Sequence, residues 1–176
     1  MRRIMLALFT FATPALAQGQ SASGASTAAV STAKTVWMVP HNFVVRALEQ
    51  VPDSLLAFQP TPQVRSLGQL FAHIADGEHL FCSLALGEAA PNPFDVIEKT
   101  KKTKAELRQA LQESLAHCDK AYAQTDAAAQ TPAEFFGQKG TRLFLLNMNG
   151  AHDYEHYGNI VTYMRLKGLV PPSSQR

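Results

Sequence analysis

The chain has 176 residues, 46% of them hydrophobic, a comfortable size for a single domain with its own core. It carries 16 Lys and Arg against 14 Asp and Glu; with Arg2 and Arg3 in a segment expected to be removed, the remainder is 14 against 14. That balance excludes the basic footprint of a nucleic-acid-binding protein.

The N-terminus, MRRIMLALFTFATPALAQ, has a basic start, a short apolar run and a small-x-small site at Ala15-Leu16-Ala17. These are the parts of a secretory signal peptide over residues 1–17, and the apolar run falls well short of the roughly 20 residues of a membrane anchor. Export across the cytoplasmic membrane, to a periplasmic space, is the expectation. Residues 18–34 are mostly Ser, Ala, Gly and Thr with almost no large apolar groups, which predicts a flexible leader. The folded domain is then expected over residues 35–172, with a short tail at 173–176.

Its periodicity is helical almost throughout. A first helix is predicted over about residues 36–50, with Pro40 tolerated in its first turn or at a kink. A second opens at the capping box Ser66 to Gln69 and runs to about Leu86, stopped by Gly87. Leu67, Leu70, Phe71, Ile74, Phe81, Leu84 and Ala85 share its inner face, whereas Asp76 and His79 fall on the polar side. The cluster Lys99, Lys101, Lys102 and Lys104, with Glu98 and Glu106 beside it, reads as a solvated helix start.

Thr103 and Glu106 form the second capping box and open a third helix to about Thr125, with Leu107, Leu111, Ser114, Cys118 and Tyr122 on its seam. TPAEFFGQKG is irregular, with an extended piece at residues 134–136. The fourth helix runs from about Thr141 to Lys167, with Gly168 in the C-terminal capping position and Pro171-Pro172 beyond. The fold class is all-α, an antiparallel four-helix bundle.

Leu145, Met148, His152, Asn159, Tyr163 and Leu166 share one stripe of the fourth helix, with His156 about 40° away. Two histidines four apart project side by side, the spacing that lets two imidazoles bind one metal ion. The Glu that follows the first His in zinc proteases is replaced by Asp153. Of the other histidines, His73 is the third ligand by direction and His79 a surface residue. His117 points away from the core, and His41 has no assigned place. Histidines at i, i+4 on an inner stripe each need partners for both ring nitrogens, and a metal answers that need for one of them.

LGQLFAHIADGEHLF at 67–81 and NMNGAHDYEHYGNIVTYMRLKGLVPP at 147–172 resemble the DinB-like superfamily of four-helix metal proteins, which includes YfiT-type hydrolases and thiol-dependent transferases and isomerases. His73, His152 and His156 occupy that family's metal-ligand positions, and Gly158, Tyr163, Arg165, Gly168, Pro171 and Pro172 complete its pattern. One departure is Asn159, where members commonly carry Gln. The resemblance implies a divalent ion, zinc or nickel, with open positions that suit hydrolysis and thiol transfer equally. It names no substrate. Glu78 is either a buried carboxylate near the rings or half of a salt bridge.

Cys82 near the inner face of the second helix and Cys118 on the seam of the third could meet across an interhelix contact, and an oxidising compartment would let them bond; two unpaired buried thiols are the alternative. A second apolar band on the fourth helix, Leu146, Tyr154, Tyr157, Val161 and Met164, points outward and suggests a homodimer, as is common in the resembled family. Competing with a metal-dependent enzyme are a non-catalytic metal- or ligand-binding module and a plain helical interaction protein.

Overall fold

The structure is a computed structural model that describes residues 25–175, so the expected signal peptide lies outside the described residues. Four long helices make the bundle: α1 (Ala28–Gln50), α2 (Leu67–Leu86), α4 (Lys104–Ala121) and α6 (Arg142–Leu166). Short pieces join them: α3 (Val96–Thr100), α5 (Asp126–Ala129), and the strands β1 (Pro132–Phe135) and β2 (Gln138–Thr141). Helix α2 packs on both α4 and α6, and α1 packs on α6 and less extensively on α4.

Both capping boxes form as the sequence predicts. Ser66 accepts from the Gln69 N–H and Thr103 from the Glu106 N–H, each answered by the partner side chain. Gly87 and Gly168 take the left-handed conformation that favours glycine, at φ 81° and 73°.

Helix α1 corrects the expected leader, because it begins at Ala28 rather than near residue 36. Its extra turns bury Val30 and Ala33, small enough for close packing. Its N-terminal N–H groups are satisfied from far along the chain: Asp126 accepts from Ala29 at 3.2 Å, from Val30 at 3.0 Å and from the Ser26 hydroxyl at 2.7 Å. A local reading of a Ser/Ala/Gly tract misses a cap supplied by α5. Pro40 consequently sits mid-helix and buried, where it removes one helical hydrogen bond.

Helix α4 ends at Ala121, short of Thr125, because Thr125 caps α5 by accepting from the Ala128 N–H. The segment read as irregular is a hairpin pairing Pro132 with Thr141 and Phe135 with Gln138. Its two-residue turn, Phe136-Gly137, has φ of 47° and 79°. Positive φ at both turn residues matches the right-handed twist of the flanking strands.

The outward band on α6 is also corrected. Leu146, Tyr157 and Met164 are buried, and Tyr157 stacks on Phe43 of α1 at 5.2 Å. Helix α6 lies between α1 and α2, so two of its faces are interior. In the inner stripe, by contrast, Asn159 and Leu166 are exposed.

The core divides into two apolar clusters. One gathers Leu48, Phe71, Ile74, Leu111, Ile160 and Met164; the other gathers Trp37, Phe81, Leu145 and Leu146. Between them, along all four long helices, runs a polar layer: His41 on α1, Glu78 on α2, Ser114 on α4 and Asp153 on α6.

Cys82 and Cys118 are bonded, joining α2 to α4 across a sequence separation of 36. Closing a loop of that size stabilises by about 3–4 kcal/mol in the chain-entropy model. Denaturant unfolding with and without a thiol reductant should show a loss of that order on reduction.

Candidate metal centre

His73 on α2 meets His152 and His156 on α6, so the three rings named from the sequence converge. One nitrogen of each lies within 4.8 Å of the others, and the Nε2 atoms of His73 and His152 are 3.3 Å apart. Ring centroids are separated by 5.0 Å (His73 to His152), 4.6 Å (His73 to His156) and 4.4 Å (His152 to His156).

The approach of His152 depends on a residue without a side chain. A Cβ on Gly77 would lie 2.3 Å from Cε1 of the His152 ring. Glycine in a helix interior costs roughly 0.5–1 kcal/mol against alanine, and here it opens the backbone of α2 to an imidazole. Its signal in the sequence was its place, four residues after His73 and on the same face.

Carboxylates stand behind two of the rings. His73 Nδ1 lies 3.3 Å from Glu98 Oε2, close but not aligned as a hydrogen bond, and Arg65 Nε contacts both Glu98 oxygens at 3.0 Å. His152 Nδ1 lies 3.7 Å from Asp153 Oδ1. Glu98 is brought there by α3, whose first turn is held by Asp76: its carboxylate accepts from the Ile97 N–H at 3.1 Å and the Glu98 N–H at 2.8 Å. This corrects the reading of Asp76 as a polar-side residue, since it is 3% exposed. It also takes Glu98 out of the solvated charge run.

Burial lowers the pKa of all three rings, helped for His73 by the Arg65 charge and for His156 by His152. His73 is brought to about 3, and His152 and His156 to about 4. The rings are therefore neutral at ordinary pH, the form in which imidazole binds metal. Three neutral nitrogen donors meeting at one point fit a divalent ion. Between the unfolded pKa near 6.5 and these depressed values, the unfolded chain binds more protons than the folded one. Stability of the metal-free protein should therefore fall as pH drops below about 6.5, which urea titrations at several pH values would measure.

The polar layer forms a second buried group. Trp37 Nε1 donates to Glu78 Oε1 at 3.1 Å and to Asp153 Oδ2 at 3.0 Å. His41 Nδ1 is 2.7 Å from Glu78 Oε1, and the Ser114 hydroxyl donates to Glu78 Oε2. Burial works to lower the His41 pKa, but the Glu78 carboxylate raises it on balance. Burial and the nearby Glu78 charge push the pKa of the Asp153 carboxyl well up, towards its neutral form. Glu78 is thus a buried carboxylate paired with His41, one helix turn from the imidazole site. His79 is not a surface residue; it is half-buried beside His117 at the contact of α2 and α4, with ring centroids 5.4 Å apart.

Two cavities flank the three rings. An apolar one of about 370 Å³ opens beside His73, His152 and His156; a polar one of about 560 Å³, lined by Arg65, Gln69, Asn159 and Tyr163, opens at His156. Glu155 lines both. Tyr163 fixes the polar wall by donating to the Arg65 carbonyl at 3.1 Å.

Fold and site together define a helical bundle with a cluster of candidate metal ligands. The profile of the DinB superfamily matches residues 41–160, more than half of the chain, and the protein belongs to that superfamily. Among solved structures, a DinB-like protein from Bacillus cereus ATCC 10987 is similar with a TM-score of 0.69 and 19% identity, over 81% of this chain and 95% of that one. A DinB-like protein from Bacillus subtilis gives 0.59 and 19%, over 82% and 99%. A mycothiol-dependent maleylpyruvate isomerase gives 0.64 and 18% over 78% of this chain, which spans only 63% of the isomerase. At these identities the likeness is one of fold. No curated protein sequence matches the chain.

Proposed function

We propose that His73, His152 and His156 hold one divalent ion, zinc or nickel, and that the protein is an exported metal-dependent enzyme of hydrolase or thiol-transferase type. The observation that carries this reading is three neutral imidazoles from two helices meeting between two cavities. Thiol chemistry draws support from the isomerase with a similar fold, and export from the disulfide and from the N-terminal sequence.

An ion held by three imidazoles keeps positions open for polarising a carbonyl, a thiolate or water. The chain's own groups do the rest. Glu98, clamped by Arg65 and carried on α3, sets a carboxylate 3.3 Å from Nδ1 of the His73 ring. Gly77 admits the His152 ring, and the layer of Trp37, Glu78 and Asp153 fixes the turn of α6 that carries it.

Metal analysis of the purified mature protein should find one ion per chain, absent from His73→Ala, His152→Ala and His156→Ala but kept by His79→Ala. A metal-free wild type would refute the reading. With metal present, esters, amides and thiol adducts should be screened for turnover that vanishes on chelation and returns with added ion. Stoichiometric metal without turnover on any of them would assign the site to a non-catalytic module.

A further inference from the structure

The apolar cavity is walled by Leu80, Phe81, Phe94, Phe135, Phe136 and Met148, and its floor is the three imidazoles. Among the described residues only Glu155 brings a formal charge to its lining, and that side chain is exposed. At about 370 Å³ the space lies at the small end of ligand pockets. Its aromatic rings are set at angles to one another: Phe81 and Phe135 have centroids 4.9 Å apart at 51°, and Phe94 stands edge-on to His73 at 6.0 Å and 81°. Such tilted walls offer both faces and edges to a further ring, and the Met148 thioether adapts to one.

Phe136 adds an independent observation. It stands at the first position of the hairpin turn with φ of 47°, where glycine, asparagine or aspartate is favoured. Its side chain is 90% exposed, yet it lies on the cavity wall against Phe135, with centroids 4.4 Å apart. The fold gains almost no burial from a phenylalanine there and bears a strained backbone for it. A bound apolar group would cover that ring.

We infer that the cavity seats a single aromatic ring, and that the substrates are small arylalkyl compounds whose polar head reaches the three imidazoles, with Phe135 and Phe136 of the hairpin as the residues that select the ring. This rests on the metal reading for the head group but not for the ring. The head meets the imidazole floor while the ring lies under the hairpin, away from the polar cavity on the Arg65 side.

The test compares two zinc-binding probes with the same head, phenylacetohydroxamate and acetohydroxamate, by calorimetry on zinc-loaded protein, with zinc content measured for each variant. The ring should tighten binding by about tenfold or more, as expected for burying a phenyl group. Phe135→Ala and Phe136→Asn should reduce that preference to about twofold while leaving zinc content and acetohydroxamate affinity unchanged. Phe136→Asn should also raise the thermal midpoint, because asparagine tolerates the turn conformation; a purely structural phenylalanine would give the opposite. Equal binding of the two probes, or a ring preference that survives both substitutions, overturns the inference. If the protein takes up no zinc, phenylacetamide is titrated into metal-free protein and the Met148 methyl resonance is followed. A shift lost in Phe135→Ala upholds the ring site while sinking the metal reading, and no shift overturns the ring site.

Discussion

Gly77→Ala is expected to abolish tight metal binding while leaving the bundle folded. The added methyl would sit 2.3 Å from Cε1 and 2.7 Å from Nδ1 of His152, so the ring must leave its place beside His73. Because even the loss of a supporting contact weakens metal affinity by about 10–100-fold, displacing a ligand should do at least as much. Helix propensity acts in the other direction, favouring alanine by about 1 kcal/mol. Gly158→Ala is the matched control: its Cβ meets nothing within 4 Å, so it should keep the metal and raise stability slightly. Metal analysis beside circular-dichroism melting of both variants separates the two effects. Full metal content in Gly77→Ala would show that the imidazoles do not share an ion in this arrangement.

Glu78→Ala should be the most destabilising single substitution in the polar layer, by about 3–5 kcal/mol. Glu78 is 0% exposed and is shared by Trp37, His41 and Ser114. Removing it takes the carboxylate partner from the buried His41 ring and leaves the Trp37 N–H to Asp153 and the Ser114 hydroxyl to the Leu111 carbonyl alone. Glu78→Gln retains the shape and some of the hydrogen bonds, so it should lose less. Denaturant unfolding at neutral pH measures both, and a cost below about 1 kcal/mol for alanine would mean that the layer contributes little to stability.

The parts of this molecule legible in its sequence are those coded over a few residues. Ser66 with Gln69, Thr103 with Glu106, and the glycines at 87 and 168 set helix ends as expected. His73, His152 and His156 were found because helical spacing fixes direction, and the structure brings all three together. What escaped depends on partners distant along the chain. Asp76 is buried because α3 folds over it, and Glu98 then reaches His73. The sequence marks Asp153 only as standing where zinc proteases carry Glu, and it gives His41 no assigned place. Apolar periodicity reports burial only when the buried residue is apolar. A polar layer at one depth in four helices becomes visible once their relative heights are known. The same limit misplaced the second band of α6, since a helix with two covered faces resembles one with a face left open.

The remote clamp on the first helix bears on where the protein can be cut. A fragment starting at residue 35, the boundary that composition suggests, would strip away the turns that Asp126 grips and leave Trp37 near a frayed end. Trp37 reaches Glu78 and Asp153 at once, so the damage would pass directly to the interior beneath the imidazoles. The shortest self-sufficient piece therefore begins near Ser26, and trimming what looks like a dispensable lead-in would dismantle the floor of the site.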